Sequence, residues 1–234
     1  METKLTDLCF IKHNFLTEKE CDFLIEYHKN NIDRRLTELS TNVFDGIKRE
    51  ASFEMVEVFS KTDEFNLIKN KISKGLVEYG KHLDQLGIYN TGILDYLQYG
   101  HKYRILKYDV GCGIQAHSDH ETYNYGSLVL NLNEEYEGGE FTFFNKKYTP
   151  KMKRGTLMIF PADIFWSHEV LPVTQGTRYS MNTFIKSIPD PVVRQLKSNY
   201  LSKLLDEYFK VTQREDMLGP NFVERVGREG SFGY

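Results

Sequence analysis

Tyr103-Arg104-Ile105-Leu106-Lys107-Tyr108-Asp109-Val110-Gly111-Cys112-Gly113-Ile114-Gln115-Ala116-His117-Ser118-Asp119 is the stretch on which the reading of this chain turns. Its first six residues are β-prone and predict a strand over 103–108. Gly111 and Gly113 interrupt the run and permit a tight approach to the His117–Asp119 pair. His117 and Asp119 stand two apart, the spacing at which side chains of an extended segment share one face. The same texture continues downstream, with short β-prone runs separated by Gly, Pro, Asn and Asp. Candidate strands are Ser127 to Leu132, Glu140 to Phe144, Thr156 to Phe160, His168 to Val173 and Tyr179 to Ile185. Short strands at this spacing predict an antiparallel sandwich or barrel over about 96–188.

Upstream the periodicity is helical. Thr17-Glu18-Lys19-Glu20 reads as a capping box, and Cys21, Leu24, Ile25 and His28 come after it at helical spacing, predicting a helix over about 17–30. Thr62-Asp63-Glu64 opens a second, longer helix with an apolar stripe of Phe65, Ile68, Ile72, Leu76, Tyr79 and Leu83, stopped at Gly87. After Pro189 and Pro191, Val192, Leu196, Tyr200, Leu204 and Tyr208 recur every four residues, and three glycines mark the end from Gly227 to Tyr234. No linker divides the chain. The expected organisation is one α+β domain, mainly β: a helical support region over 1–95, a β core over 96–188, and a C-terminal helix and tail over 189–234.

Composition narrows the function. The chain has 234 residues, 40% hydrophobic and 27% charged, ordinary for a globular domain. Its formal net charge is -3, so no basic field argues for nucleic acid. Cys9, Cys21 and Cys112 form no Cys-x-x-Cys pair, and their odd number argues against a disulfide framework and for a reducing compartment. Neither an apolar leader nor a run of about 18 apolar residues is present, so the expectation is a cytoplasmic protein that does not span a membrane.

The chemistry centres on His117, Asp119 and His168, the last closing Phe165-Trp166-Ser167-His168. Two imidazoles and one carboxylate can occupy one face of a ferrous ion and leave the opposite face open. Arg178 lies ten residues beyond His168. Antiparallel pairing across a turn around Pro172 to Gly176 would bring it back beside that histidine. A guanidinium offers a planar fork of donors that fits a carboxylate. His120 would face the opposite side of a strand from His117 and Asp119. His13, His28, His82 and His101 have no partner at ligand spacing.

Arg104 to Gly111, His117-Ser118-Asp119, Glu137-Gly138-Gly139-Glu140-Phe141, Lys153 to Pro161, His168 to Val173 and Gly176-Thr177-Arg178-Tyr179-Ser180 agree in order and spacing with a known pattern. The stretch from Arg104 to Lys186 resembles the iron(II)- and 2-oxoglutarate-dependent dioxygenases of the prolyl 4-hydroxylase-like branch. The resemblance implies a double-stranded β-helix, a jelly roll, backed by helices. It implies Fe(II) held by His117, Asp119 and His168, with 2-oxoglutarate and O2 as co-substrates and ascorbate as an accompanying reductant. Arg178 and Tyr108 would bind the distal carboxylate of 2-oxoglutarate, and Ser180, Ser127, Asn131 and Phe141 would line its pocket. The chain departs from the pattern at Asn131, where the family often has Tyr, at Phe184, where Trp is common, and at Ile114, where the prolyl hydroxylases often carry a second Tyr.

The expected activity is hydroxylation of a C–H bond in a protein or peptide, most simply a prolyl residue. Three alternatives stand beside it: hydroxylation of a free amino acid or other small molecule, a jelly-roll binding protein without turnover, and a nucleic-acid demethylase of the same superfamily. The last calls for a second arginine where this chain has Phe184. A peptide substrate calls for a groove with a mobile loop, which Ser40 to Phe59 or Leu86 to His101 could supply.

Overall fold

The computed structural model describes residues 3–44, 47–88, 99–121 and 124–186. The helical pattern after Pro191, the glycine-bearing end and most of the candidate loop 86–101 lie outside these residues. The described part is mostly β-sheet with few helices.

Helix α1 (Glu18–Asn30) begins as its capping box dictates: Thr17 Oγ1 accepts from the Glu20 N–H at 3.3 Å, and the Glu20 carboxylate accepts from the Thr17 N–H at 2.8 Å. Helix α2 (Asp63–Gln85) is capped by Thr62, whose Oγ1 accepts from the Phe65 N–H at 3.1 Å. Its stripe from Phe65 to Leu83 is buried throughout. Gly87 ends it at φ +70, a left-handed conformation open to glycine at little cost.

The strands are β1 (Phe10–Lys12), β2 (Leu36–Phe44), β3 (Ile47–Glu57), β4 (Tyr99–Tyr108), β5 (Ile114–His117), β6 (Asn124–Asn131), β7 (Tyr136–Gly138), β8 (Phe141–Phe143), β9 (Leu157–Pro161), β10 (His168–Val170), β11 (Val173–Gly176) and β12 (Arg178–Lys186). Hydrogen bonding orders them β1-β9-β6-β12-β4-β3-β5-β10-β8, with β2 on the far side of β3 and β11 paired separately to β7. All these pairings are antiparallel. The long path is joined between β3 and β5 by a single register pair, Ala51 with Ile114. Six strands therefore lie on one side of that joint and three on the other.

The larger group is buried on both faces. Ile105, Leu128, Leu130, Ile159, Met181 and Ile185 pack against the helices with Leu24, Phe65 and Ile68. Alternate residues of the same strands, Leu106, Tyr108, Val129, Met158 and Phe160, meet Phe141, Phe143, Trp166 and Val170 of the smaller group. Two buried faces explain the uninterrupted apolar runs Leu128-Val129-Leu130 and Leu157-Met158-Ile159-Phe160 within these strands.

Three expectations change. The region 1–95 is not only helical: it contributes β1 and the long β2–β3 hairpin, and Ser40 to Phe59 falls largely in that hairpin, not in a loop. Apolar residues at 36, 39, 43 and 44 follow a helical spacing, yet the segment is a strand held to β3 by nine register pairs of backbone. The run His168 to Val173 is broken at Leu171-Pro172, where proline supplies no N–H for a ladder. Consequently β10 and β12 do not pair. Arg178 lies opposite Tyr108 and His168 opposite His117, in different groups of strands. Among the described residues no helix is long and apolar enough to cross a membrane.

His28 supplies a pH test of this packing. It is fully buried on α1, edge-on to Tyr179 with ring centroids 5.6 Å apart, and neither ring nitrogen has a hydrogen-bond partner. Burial pushes the imidazole pKa down to about 4, the Arg35 charge adds to this, Glu54 opposes it and Lys107 reinforces it. An unfolded histidine titrates near about 6.5, so between those values the unfolded chain holds the extra proton. Stability is full above the unfolded value and drains as pH falls toward 4, by on the order of 3 kcal/mol. In urea unfolding, His28→Phe should lose distinctly less stability than wild type between pH 7.5 and pH 4.5. Equal losses would show that His28 protonates freely within the fold.

Candidate active site

His117 ends β5 and His168 begins β10, and the two are direct cross-strand partners with ring centroids 4.4 Å apart. Asp119 lies two residues past the end of β5, in a segment without regular secondary structure. Two residues of β6 hold it. Asn124 Nδ2 donates to the Asp119 carbonyl at 2.7 Å, and Ser127 Oγ donates to Asp119 Oδ2 at 2.6 Å. Upstream, a Cβ on Gly113 would lie 2.6 Å from the Val170 carbonyl oxygen, so only glycine allows β5 this close to the β10 backbone.

The tautomers are set by the neighbours. His117 Nδ1 lies 2.8 Å from the Gln115 carbonyl, and His168 Nδ1 lies 2.9 Å from the Trp166 carbonyl. A carbonyl can only accept, so each Nδ1 carries the proton and each Nε2 presents a lone pair. His117 Nε2 is 3.5 Å from Asp119 Oδ1, and His168 Nε2 is 3.4 Å from Asp119 Oδ2. Two lone pairs and a carboxylate thus converge, all within 4.8 Å. That cluster repels itself unless a cation sits among its atoms. Cis ligands of an octahedral ion stand about 3 Å apart, so the spacing fits one metal ion after a small contraction. The protonation states fit as well. Burial pushes His168 down to about 4, against the Asp119 charge. Burial alone would raise Asp119, but the two histidines, whenever they are protonated, and the Ser127 hydroxyl hold it well below the usual carboxylate range. A metal ligand must be an unprotonated imidazole or an ionised carboxylate.

Across the cavity, Arg178 is 1% exposed. Nη1 donates to Ser180 Oγ at 3.2 Å, and the guanidinium lies 5.1 Å from the Tyr108 ring centroid. Its Nε has no acceptor, and among the described residues no carboxylate pairs with it. Burying an unpaired charge is costly, so this cationic end is built to receive an anion. Burial raises the Tyr108 pKa against the pull of Arg178 and Arg104, which keeps its hydroxyl a donor. A planar fork and a phenol side by side suit one end of a dicarboxylate.

His117, Asp119, His168, Arg178, Tyr108, Ser180, Ser127 and Phe141 all line one cavity. Asn131 does not. Its Nδ2 donates to the Asn133 and Met152 carbonyls, and its Oδ1 accepts from Tyr136, so the carboxamide is used up in holding loops. His120 is exposed and stands apart from the metal-ligating trio. Asn182, Thr183, Phe160 and Val129 also line the cavity, and no motif in the sequence singles them out. Strand alternation from Arg178 through Ser180 is the signal that points to Asn182 and Phe184. The carbonyls of Gln115 and Trp166 leave no signal in residue identity.

Known proteins agree with this geometry. Residues 103–186 match the 2OG-Fe(II) oxygenase superfamily. A PKHD-type hydroxylase of Beijerinckia indica is 33% identical over 108 residues, 40% of this chain and 47% of that protein. The chain spans less than half the length of the curated relatives it matches. Among solved structures, a Pseudomonas putida prolyl-4-hydroxylase superposes with a TM-score of 0.58 at 16% identity, covering 77% of this chain and 93% of that one. A Trichoplax adhaerens prolyl hydroxylase in complex with a hypoxia inducible factor peptide fragment superposes with a TM-score of 0.56 at 17% identity, covering 83% and 89%. The segment that matches the 2OG-Fe(II) oxygenase superfamily, 103–186, contributes every residue lining this cavity.

Proposed function

We propose that this chain is an iron(II)- and 2-oxoglutarate-dependent dioxygenase that hydroxylates a C–H bond of a protein or peptide, with a prolyl residue as the leading substrate. The observation that carries the reading is a single cavity with a lone-pair-bearing His-Asp-His cluster on one wall and a buried arginine without a counter-ion on the other. The two strand groups on either side of the Ala51–Ile114 joint support a jelly-roll, double-stranded β-helix reading of the core. The peptide complex of the Trichoplax enzyme favours a peptide over a free amino acid, the second reading.

In this mechanism His117, Asp119 and His168 would hold Fe(II). Arg178 and Tyr108 hold the distal carboxylate of 2-oxoglutarate, with Ser180 bracing the guanidinium. Bound iron and 2-oxoglutarate supply the activation of O2, and the overall change is R–H + 2-oxoglutarate + O2 to R–OH + succinate + CO2. The chain's own residues contribute orientation and the exclusion of water. Phe141 stacks on the His168 ring at 5.1 Å and 14°, and Phe160 meets its edge at 5.0 Å, so the imidazole is fixed in place.

The test is incubation with Fe(II), ascorbate, 2-oxoglutarate and O2, following succinate and a +16 Da shift in proline-containing peptides. No succinate under those conditions would reject the reading. Ser127 offers a finer check, because its hydroxyl occupies one lone pair of Asp119 Oδ2 and fixes how the carboxylate faces the histidines. Residues that orient metal ligands are worth roughly 10–100-fold in metal affinity. Ser127→Ala should weaken Mn(II) binding by that order in a titration without co-substrate, while unfolding changes little.

A further inference from the structure

Two adjacent rows of side chains run along the cavity floor, and all of them but Arg104 line the cavity itself. Along β12 they are Arg178, Ser180, Asn182 and Phe184; along β4 they are Tyr108, Leu106 and Arg104. Register pairs Arg178 with Tyr108 at one end and Asn182 with Arg104 four residues further. At about 3.3 Å per residue the two ends stand roughly 13 Å apart. Burial falls along the row: Arg178 and Ser180 are buried, whereas Asn182 and Phe184 are half-buried. The row is therefore less buried at its Asn182 end.

Arg104 stands at that end, opposite Asn182. Its Nε donates to Asn182 Oδ1 at 3.1 Å, and its guanidinium lies over Phe184, 4.8 Å from the ring centroid. Both partners line the cavity. The nearby cations are neutralised: Lys186 by Glu121, Lys107 by Glu54 and Asp109, Arg35 by Glu54. Arg104 has no carboxylate within ion-pair distance among the described residues. Glu57 is its cross-strand neighbour in register, yet the guanidinium is turned to Phe184 instead. A guanidinium held by one nitrogen and lying over a ring keeps its terminal N–H groups aligned for a planar anion.

We infer that Arg104 is a second anion-recognition point, which selects a primary substrate carrying a carboxylate near the reacting C–H bond. The inference rests on the hydroxylase reading of the cavity and deepens it. The carboxylate belongs either to an Asp or Glu beside the modified residue of a peptide or to the α-carboxylate of a free amino acid. In both cases neutral counterparts are poor substrates.

The test compares wild type with Arg104→Met, which keeps an aliphatic stem on Phe184, and Arg104→Lys, which keeps the charge. Two substrate sets are offered: proline peptides with randomised flanking residues, and free amino acids beside their amides. Hydroxylated products are read by mass spectrometry, and succinate formed without substrate is read in parallel. Wild type should favour acidic members at least tenfold. Arg104→Met should erase that preference, Arg104→Lys should restore much of it, and substrate-free succinate should be equal in all three. Preference within the peptide set assigns the anion to a flanking side chain; preference for free acids over amides assigns it to the α-carboxylate. Equal conversion of acidic and neutral members, conversion of no acidic member, or a preference that survives in Arg104→Met overturns the inference. Loss of substrate-free succinate in wild type would instead strike the hydroxylase reading itself.

Discussion

Arg178→Met should bind 2-oxoglutarate far more weakly than wild type, yet fold at least as stably. In the folded chain this guanidinium is 1% exposed, has one hydrogen bond to a neutral hydroxyl, and leaves Nε without an acceptor. Replacing such a charge with an apolar side chain of similar volume is neutral or stabilising, by up to about 4 kcal/mol. Removing the cationic partner of a buried carboxylate instead costs about 2–5 kcal/mol of binding, or roughly 30-fold to several thousand-fold in affinity. Thermal unfolding measures both at once. In wild type, 2-oxoglutarate should raise the midpoint in a concentration-dependent way, because it binds only the folded state. In Arg178→Met the midpoint without ligand should be equal or higher, and the ligand-induced shift should be absent up to millimolar concentration. An unchanged shift would remove Arg178 from the co-substrate site. A collapse of the midpoint without ligand would make it a structural residue.

The sign of that prediction bears on what could be read from sequence. Helices were legible because caps and stripes are local: Thr17 with Glu20, Thr62 with Phe65, and six apolar residues at one period. Apolar runs such as 128–130 and 157–160 were legible because both faces are buried. Strand β5 was not, since Ile114-Gln115-Ala116-His117 has neither length nor period, and its place is set by β3, β10 and the close approach at Gly113. Sheet order was hidden for the same reason: β11 takes up the residues that would have paired His168 with Arg178. In the site, residue types and spacing pointed to the donors. The features that make them usable, a carbonyl two residues behind each histidine and a serine on Asp119, depend on backbone geometry that no spacing rule encodes. Asn131 shows the converse, since alternation puts it on the cavity face while its hydrogen bonds take it out of the cavity.

Asp119→Asn should show the same opposition between stability and binding at the other wall. The substitution keeps size and keeps an oxygen for Ser127 Oγ, but converts an anion into an amide with two N–H donors. In wild type without metal, Asp119 faces two Nε2 lone pairs at 3.4 and 3.5 Å with no proton to bridge them. An asparagine N–H can donate to one of those nitrogens, and a new bond of this kind is worth about 1 kcal/mol. The metal-free variant should therefore unfold at an equal or slightly higher midpoint than metal-free wild type. Metal binding should move the other way. Structural zinc sites with four ligands gather about 10–16 kcal/mol, so losing one anionic ligand should cost roughly 3 kcal/mol or more, a hundred-fold in affinity. Mn(II), which resists oxidation in air, should raise the wild-type midpoint and leave the variant's unmoved at the same concentration. Succinate formation with Fe(II) should fall to the rate of iron-free protein, and His168→Ala should fall equally far. His168→Ala, however, also empties the space between Phe141, Phe143 and Phe160, at a cost of about 2–4 kcal/mol in stability. Asp119→Asn separates the two effects, and a variant that kept both the Mn(II) shift and wild-type succinate formation would show that the trio does not hold the metal.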